Sequence, residues 1–189
     1  MTTTPSSAVR ARRAGSLLLV VLCAALAGCT ASPDASAPDT TSPGVTVLEY
    51  PAMLAEFRAE AATLQLPEGA TWIEPAEPEP EPLPGGGMGV SDFEQGVGVG
   101  AAGNQWFCYW TRQWLAQRGV DPTAEAEALD VMNSYVDSRA FLETMDPASA
   151  QPLILDLLKK AALGDPSAAA SYDDLSCKWW LAPNASAAS

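Results

Sequence analysis

The densest chemistry in the sequence is aromatic. Trp106, Phe107, Tyr109, Trp110 and Trp114 fall within nine positions, and Trp179 and Trp180 form a second group near the end. Indole faces stack on sugar rings and line apolar grooves, so Trp106, Trp110, Trp114, Tyr109 and Trp180 form a candidate ligand platform. The plainer reading is that a small domain uses these large side chains as its core. Tyr109 and Trp180 point off the main faces and are the members expected at the surface. The carboxylates Glu125, Glu127, Asp130, Asp137, Asp173 and Asp174 are numerous, yet no spacing marks two of them as a glycosidase pair. Asp173-Asp174 lacks the spacing of a calcium loop. With 10 basic residues, 23 acidic residues and no histidine, the 189-residue chain has a net charge of −13. That composition excludes His-based triads and His-ligated metals. It also argues against nucleic acid as a partner, because phosphate recognition draws on Lys and Arg. The sequence suggests no cofactor, no metal and no catalytic residue.

The chain begins with Arg10, Arg12 and Arg13, then an apolar run from Leu17 to Leu26. About ten apolar residues are too few to span a bilayer, which needs ~20, but suit the core of a signal peptide. The run ends in Leu26-Ala27-Gly28-Cys29. This segment resembles the lipobox of bacterial lipoproteins, in which two small residues precede a cysteine that becomes acylated. The residues after Arg12-Arg13 fit a twin-arginine signal poorly. The resemblance covers roughly the first thirty residues. It implies that residues 1–28 are removed, that Cys29 is lipidated, and that the protein is exported and anchored to the outer face of the plasma membrane. Stable anchoring needs two or more acyl chains. All 23 acidic residues follow position 29, so processing makes the remaining chain more acidic still. The lipid would hold this domain beside an anionic surface that repels it. Export leaves Cys108 and Cys177 as the two cysteines beyond Cys29, and one disulfide between them is expected.

These groups must be positioned by helices. Residues 29–45 read as the lipidated cysteine and a disordered tether. Pro51 to Leu66, within an N-terminal segment 46–73, places Leu54, Phe57, Ala61 and Leu64 on one face. Residues 74–100 read as a Pro/Glu/Gly-rich linker whose Glu-Pro repeat favours polyproline II. Gly98, Gly100 and Gly103 match a dinucleotide-binding glycine pattern, but the preceding segment gives no strand and no βαβ unit follows. A flexible approach to a helix at Asn104 to Arg118 is expected instead, with Gly119 as its stop. Three Asp-Pro pairs at Asp121, Asp146 and Asp165 each suit a helix start. Pro152 moves the start of one of these helices to just after Ser149. There Leu153, Ile154, Leu157, Leu158 and Ala161 are expected to face inward. The last helix should run from Pro166 to about Trp180, followed by a disordered tail at 183–189. The expected fold is a small, irregular all-α domain of five or six short helices, with its main body at 101–182. The expected role is a non-enzymatic envelope protein that contacts another envelope or cell-wall component. The alternative is a cell-wall carbohydrate binder, or a hydrolase that uses carboxylates and the tryptophan cluster.

Overall fold

A computed structural model describes residues 45–182. The signal segment, Cys29, the tether up to Gly44 and the tail 183–189 lie outside the described residues. The described chain is a small helical domain. Its six α-helices are α1 (Tyr50–Ala61), α2 (Val97–Gln117), α3 (Pro122–Ser134), α4 (Ala150–Ala162), α5 (Ser167–Tyr172) and α6 (Lys178–Trp180). A 3-10 turn spans Tyr135–Asp137, and π-type turns span Ala140–Thr144 and Asp173–Cys177. Two short antiparallel pairings complete it. β1 (Val47–Leu48) pairs with β4 (Phe93–Glu94), Leu48 opposite Phe93. β2 (Glu81–Pro82) pairs with β3 (Met88–Gly89) around a glycine turn in which Gly86 and Gly87 have φ of 89° and 91°.

The long helix α2 is the axis of the domain. Its buried residues run from Gly98 to Trp114, and α1, α3 and both π-type turns pack around it. Trp106, Phe107, Trp110 and Trp114 form the main core with Met132, Tyr135, Phe141, Ile154 and Leu157. Phe107 stacks on Tyr135 with ring centroids 4.4 Å apart. A second cluster joins Leu54, Phe57 and Ala61 of α1 to Ala101 and Ala102 of α2.

Aspartate side chains mark three of the six helix starts. The Asp121 carboxylate accepts from the backbone N–H groups of Thr123 and Ala124 at 2.9 and 3.2 Å, and Pro122 follows it in the first turn. Asp165 accepts from the Ser167 N–H at 2.9 Å. Asp146 closes a turn onto Ala148, Ser149 and the Ser149 hydroxyl, and α4 then starts at Ala150.

Four expectations need correction. The linker read at 74–100 is not one linker: it contains the β2–β3 hairpin, β4 and the first turn of α2, so a boundary at residue 101 falls inside a helix. The helix expected at Asn104 begins at Val97, because neighbouring chain requires glycine there. A Cβ on Gly98 would lie 2.3 Å from the Met53 carbonyl oxygen and 2.7 Å from the Phe57 nitrogen. A Cβ on Gly103 would lie 2.1 Å from that of Ala140. The glycine pattern therefore permits close helix packing and is not a nucleotide loop. The helix expected to reach Leu66 ends at Ala61. Beyond it the Thr63 N–H and hydroxyl both bond the Glu60 carbonyl, tightening the last turn. Finally, Leu153 is 70% exposed, so the inward stripe of α4 is Ile154, Leu157, Leu158 and Ala161. Leu153 instead rims an apolar groove of about 430 Å³ with Leu175 and Tyr172. Leu175 lies in the wider register of the second π-type turn and is 76% exposed.

Candidate functional site

The aromatic residues separate into two groups. Trp106, Trp110 and Trp114 are 6%, 8% and 1% exposed. The first two donate their indole N–H groups to the same acceptor, the Gln65 carbonyl, at 2.8 and 3.0 Å. The Arg118 guanidinium lies 4.9 Å above the Trp114 ring. These three belong to the core, and only the edges of Trp106 and Trp110 reach a small groove of about 270 Å³ that they line with Glu127. Tyr109 is half-buried, and its hydroxyl donates to the Thr71 carbonyl at 2.8 Å. Burial raises its pKa above the usual tyrosine value.

Trp179 and Trp180 are placed by cross-links to α2. The Sγ atoms of Cys108 and Cys177 are bonded at 2.07 Å, with Cα atoms 5.2 Å apart. The Arg112 guanidinium meets Asp173 at 2.6 Å, and Lys178 pairs with Asp174 one turn on. The disulfide and the Arg112 pair hold the Asp173–Cys177 turn against α2 and set α6 immediately beyond it. Trp180 is half-buried against the cluster containing Ala101 and Ala102, whereas Trp179 is 38% exposed. The two rings are nearly perpendicular, at 81°, with centroids 4.4 Å apart.

This pair forms one wall of a cleft of about 360 Å³. Gly100, Ala101 and Asn104 supply its α2 side. Glu94, Gln95, Gly96 and Val97 form one rim, and Glu143 and Thr144 another. On its floor the Thr144 side chain packs where a side chain on Gly100 would go. A Cβ there would lie 3.0 Å from the Thr144 hydroxyl oxygen. Asn104 is fixed from both ends: its amide donates to the Gly100 carbonyl at 2.8 Å, and its oxygen accepts from the Tyr135 hydroxyl at 3.3 Å. The buried Tyr135 phenol is held well above its usual pKa by desolvation.

The electrostatics of the cleft are acidic. Glu94 and Glu143 line it, and no Lys or Arg does. Arg139 bonds Glu143 at 3.0 and 3.2 Å and also reaches the buried Glu60 at 3.1 Å. Arg139 is held above its usual pKa, first by its bond to Glu143. Gly96, with φ of 96°, turns the chain into α2, and its N–H donates to both oxygens of Glu56 at 3.0 and 3.3 Å. A carboxylate from α1 thus already sits at the positive end of α2.

Of the residues named from the sequence as a candidate ligand platform, only Trp180 lines this cleft. Cys29 lies outside the described residues. Glu94, Glu143, Thr144 and Gly100 were not recognised as site residues, because they come from segments far apart in the chain. Trp179 was legible only as a member of the second aromatic group. Among the described residues no three Cys, Asp or Glu side chains converge as metal ligands, and no helix is long and apolar enough to cross a membrane. No protein-family model matches the chain, nor does any curated protein or solved structure.

Proposed function

We propose that this chain is an exported lipoprotein, held by an acylated Cys29 at the outer face of a bacterial plasma membrane, and that it is a non-enzymatic binding protein of the envelope. The observation that supports a binding role is the cleft. It has a solvent-facing tryptophan fixed on a cross-linked element, a glycine floor and polar rims. Rigid aromatic anchors of this kind carry recognition at low entropic cost.

Three variants test the proposal in cells. Cys29→Ser should leave the membrane fraction; its retention there would contradict lipid anchoring. A photo-cross-linking residue in place of Gln95, on the rim, should form a discrete adduct with an envelope component. The same residue in place of Leu163, at the exposed end of α4, should not. Equal labelling at both positions would count against recognition at the cleft.

A second reading has one observation in its favour. Glu94 and Glu143 share the cleft with Trp179 and Trp180, as a carbohydrate site using carboxylates would require. Release of soluble fragments from purified cell wall, abolished by Glu94→Gln, would favour a hydrolase over a binder.

A further inference from the structure

We propose that the cleft beside Trp179 and Trp180 binds an organic cation, a ligand with a methylated ammonium head group. The inference rests on the reading that this cleft is the ligand site, and it names the ligand's chemical class.

The first argument is shape. The two indoles stand at 81° to one another. In this edge-to-face contact the pair makes a right-angled wall, against which a compact, rounded head group fits better than a flat sugar ring, which needs a broad open face to stack on. The negative potential of an indole face attracts a cation placed over it, most strongly where water is displaced. At about 360 Å³ the cleft has room for such a head group and a short stem.

The second argument is charge. The lining contains Glu94 and Glu143 and no Lys or Arg. Glu143 is held in place by Arg139, which does not itself line the cleft. Glu94 makes no ion pair among the described residues. The start of α2 would otherwise attract an anion, but Glu56 already accepts the Gly96 N–H. The net charge of −13 adds a field that draws cations toward the protein. Anionic ligands are disfavoured by each of these features.

The experiment uses the full chain in a polyoxyethylene detergent, with binding read from the indole N–H resonances of the tryptophans. The probes are choline, its uncharged isostere 3,3-dimethylbutanol, and chitotriose. Choline should saturate in about the millimolar range, as expected for so small a ligand, and should shift Trp179 and Trp180 selectively. The isostere should bind roughly 5- to 30-fold more weakly, the factor carried by cation–π attraction. Trp179→Ala should cost a similar factor. Glu94→Gln, an exposed change that leaves the fold intact, should weaken choline about two- to fivefold and reduce its salt dependence.

Equal binding of choline and the isostere would overturn the proposal, as would choline binding that ignores both substitutions. Saturable chitotriose binding at Trp179 without choline binding would reject the cation and leave the cleft as the binding site. If no probe shifts Trp179 or Trp180, the cation proposal falls. If the photo-cross-linker at Gln95 also finds no adduct, the cleft reading falls with it.

Discussion

The two halves of α2 solve opposite packing problems. From Val97 to Gly103 the helix has almost no side chains, and α1 and the Ala140–Thr144 turn approach its backbone directly. From Gln105 to Gln117 it carries three tryptophans, a phenylalanine and a disulfide, and side-chain volume sets the distance to its neighbours. The aromatic half fills the core. The glycine half lets its neighbours approach, and the cleft opens beside Gly100 and Ala101. Chemistry-bearing residue types therefore cluster in one half of the helix, while the surface suited to binding lies along the other.

The strongest way to break this comparison is Trp114→Ala. Removing a 1%-exposed indole should cost about 3–5 kcal/mol in urea unfolding. A cost below about 1 kcal/mol would mean that the aromatic half is not the core. Replacing Cys108 and Cys177 together by alanine removes a cross-link between residues 69 apart, worth up to about 4 kcal/mol in the chain-entropy model. It should also loosen Trp179 and Trp180, seen as broadened indole resonances, while the Trp106 and Trp110 resonances stay sharp.

Gly98→Ala tests the glycine half. In an exposed helix this change stabilises by about 1 kcal/mol. Here the new methyl would meet the backbone of α1, so the expected result is a loss of roughly 1–3 kcal/mol. A gain would show that α1 and α2 do not approach so closely.

The smallest effect is a pH dependence at the junction of the two halves, where Tyr135 bonds Asn104. Burial raises the Tyr135 pKa well above 10.0 in the folded chain. The unfolded chain releases this proton near pH 10, and the folded chain keeps it. The associated stability is therefore complete below pH 10 and falls as pH rises above it. Tyr135→Phe should be less stable at pH 8, by about 1 kcal/mol for the lost hydrogen bond, but should show a shallower alkaline decline. Identical slopes for the two proteins between pH 9 and 11 would contradict the burial of this phenol.

Much of the fold was legible where local chemistry decides it. Asp121-Pro122 and Asp165-Pro166 mark helix starts because a carboxylate satisfies free N–H groups and proline needs none. Pro152 correctly placed the start of α4 after Ser149. Gly119, with φ of 67°, marks the end of α2. The start of α2 was hidden because glycine disfavours helix in isolation, and only the approach of α1 makes Gly98 an advantage there. The outward position of Leu153 was hidden because periodicity gives a stripe but not which of its edges a neighbour covers. The cleft could not be read from spacing. Glu94, Gly100, Glu143 and Trp179 meet only after α2, the Ala140–Thr144 turn and the disulfide-linked turn have packed.

The division between a buried tryptophan core and an accessible tryptophan pair can be measured directly by acrylamide quenching of native fluorescence. With the sixth tryptophan, half-buried Trp72, already replaced by phenylalanine, replacing Trp179 and Trp180 together by phenylalanine should remove most of the readily quenched emission, leaving the protected emission of Trp106, Trp110 and Trp114. Quenching undiminished relative to the Trp72→Phe chain would place the core tryptophans at the surface and contradict the account.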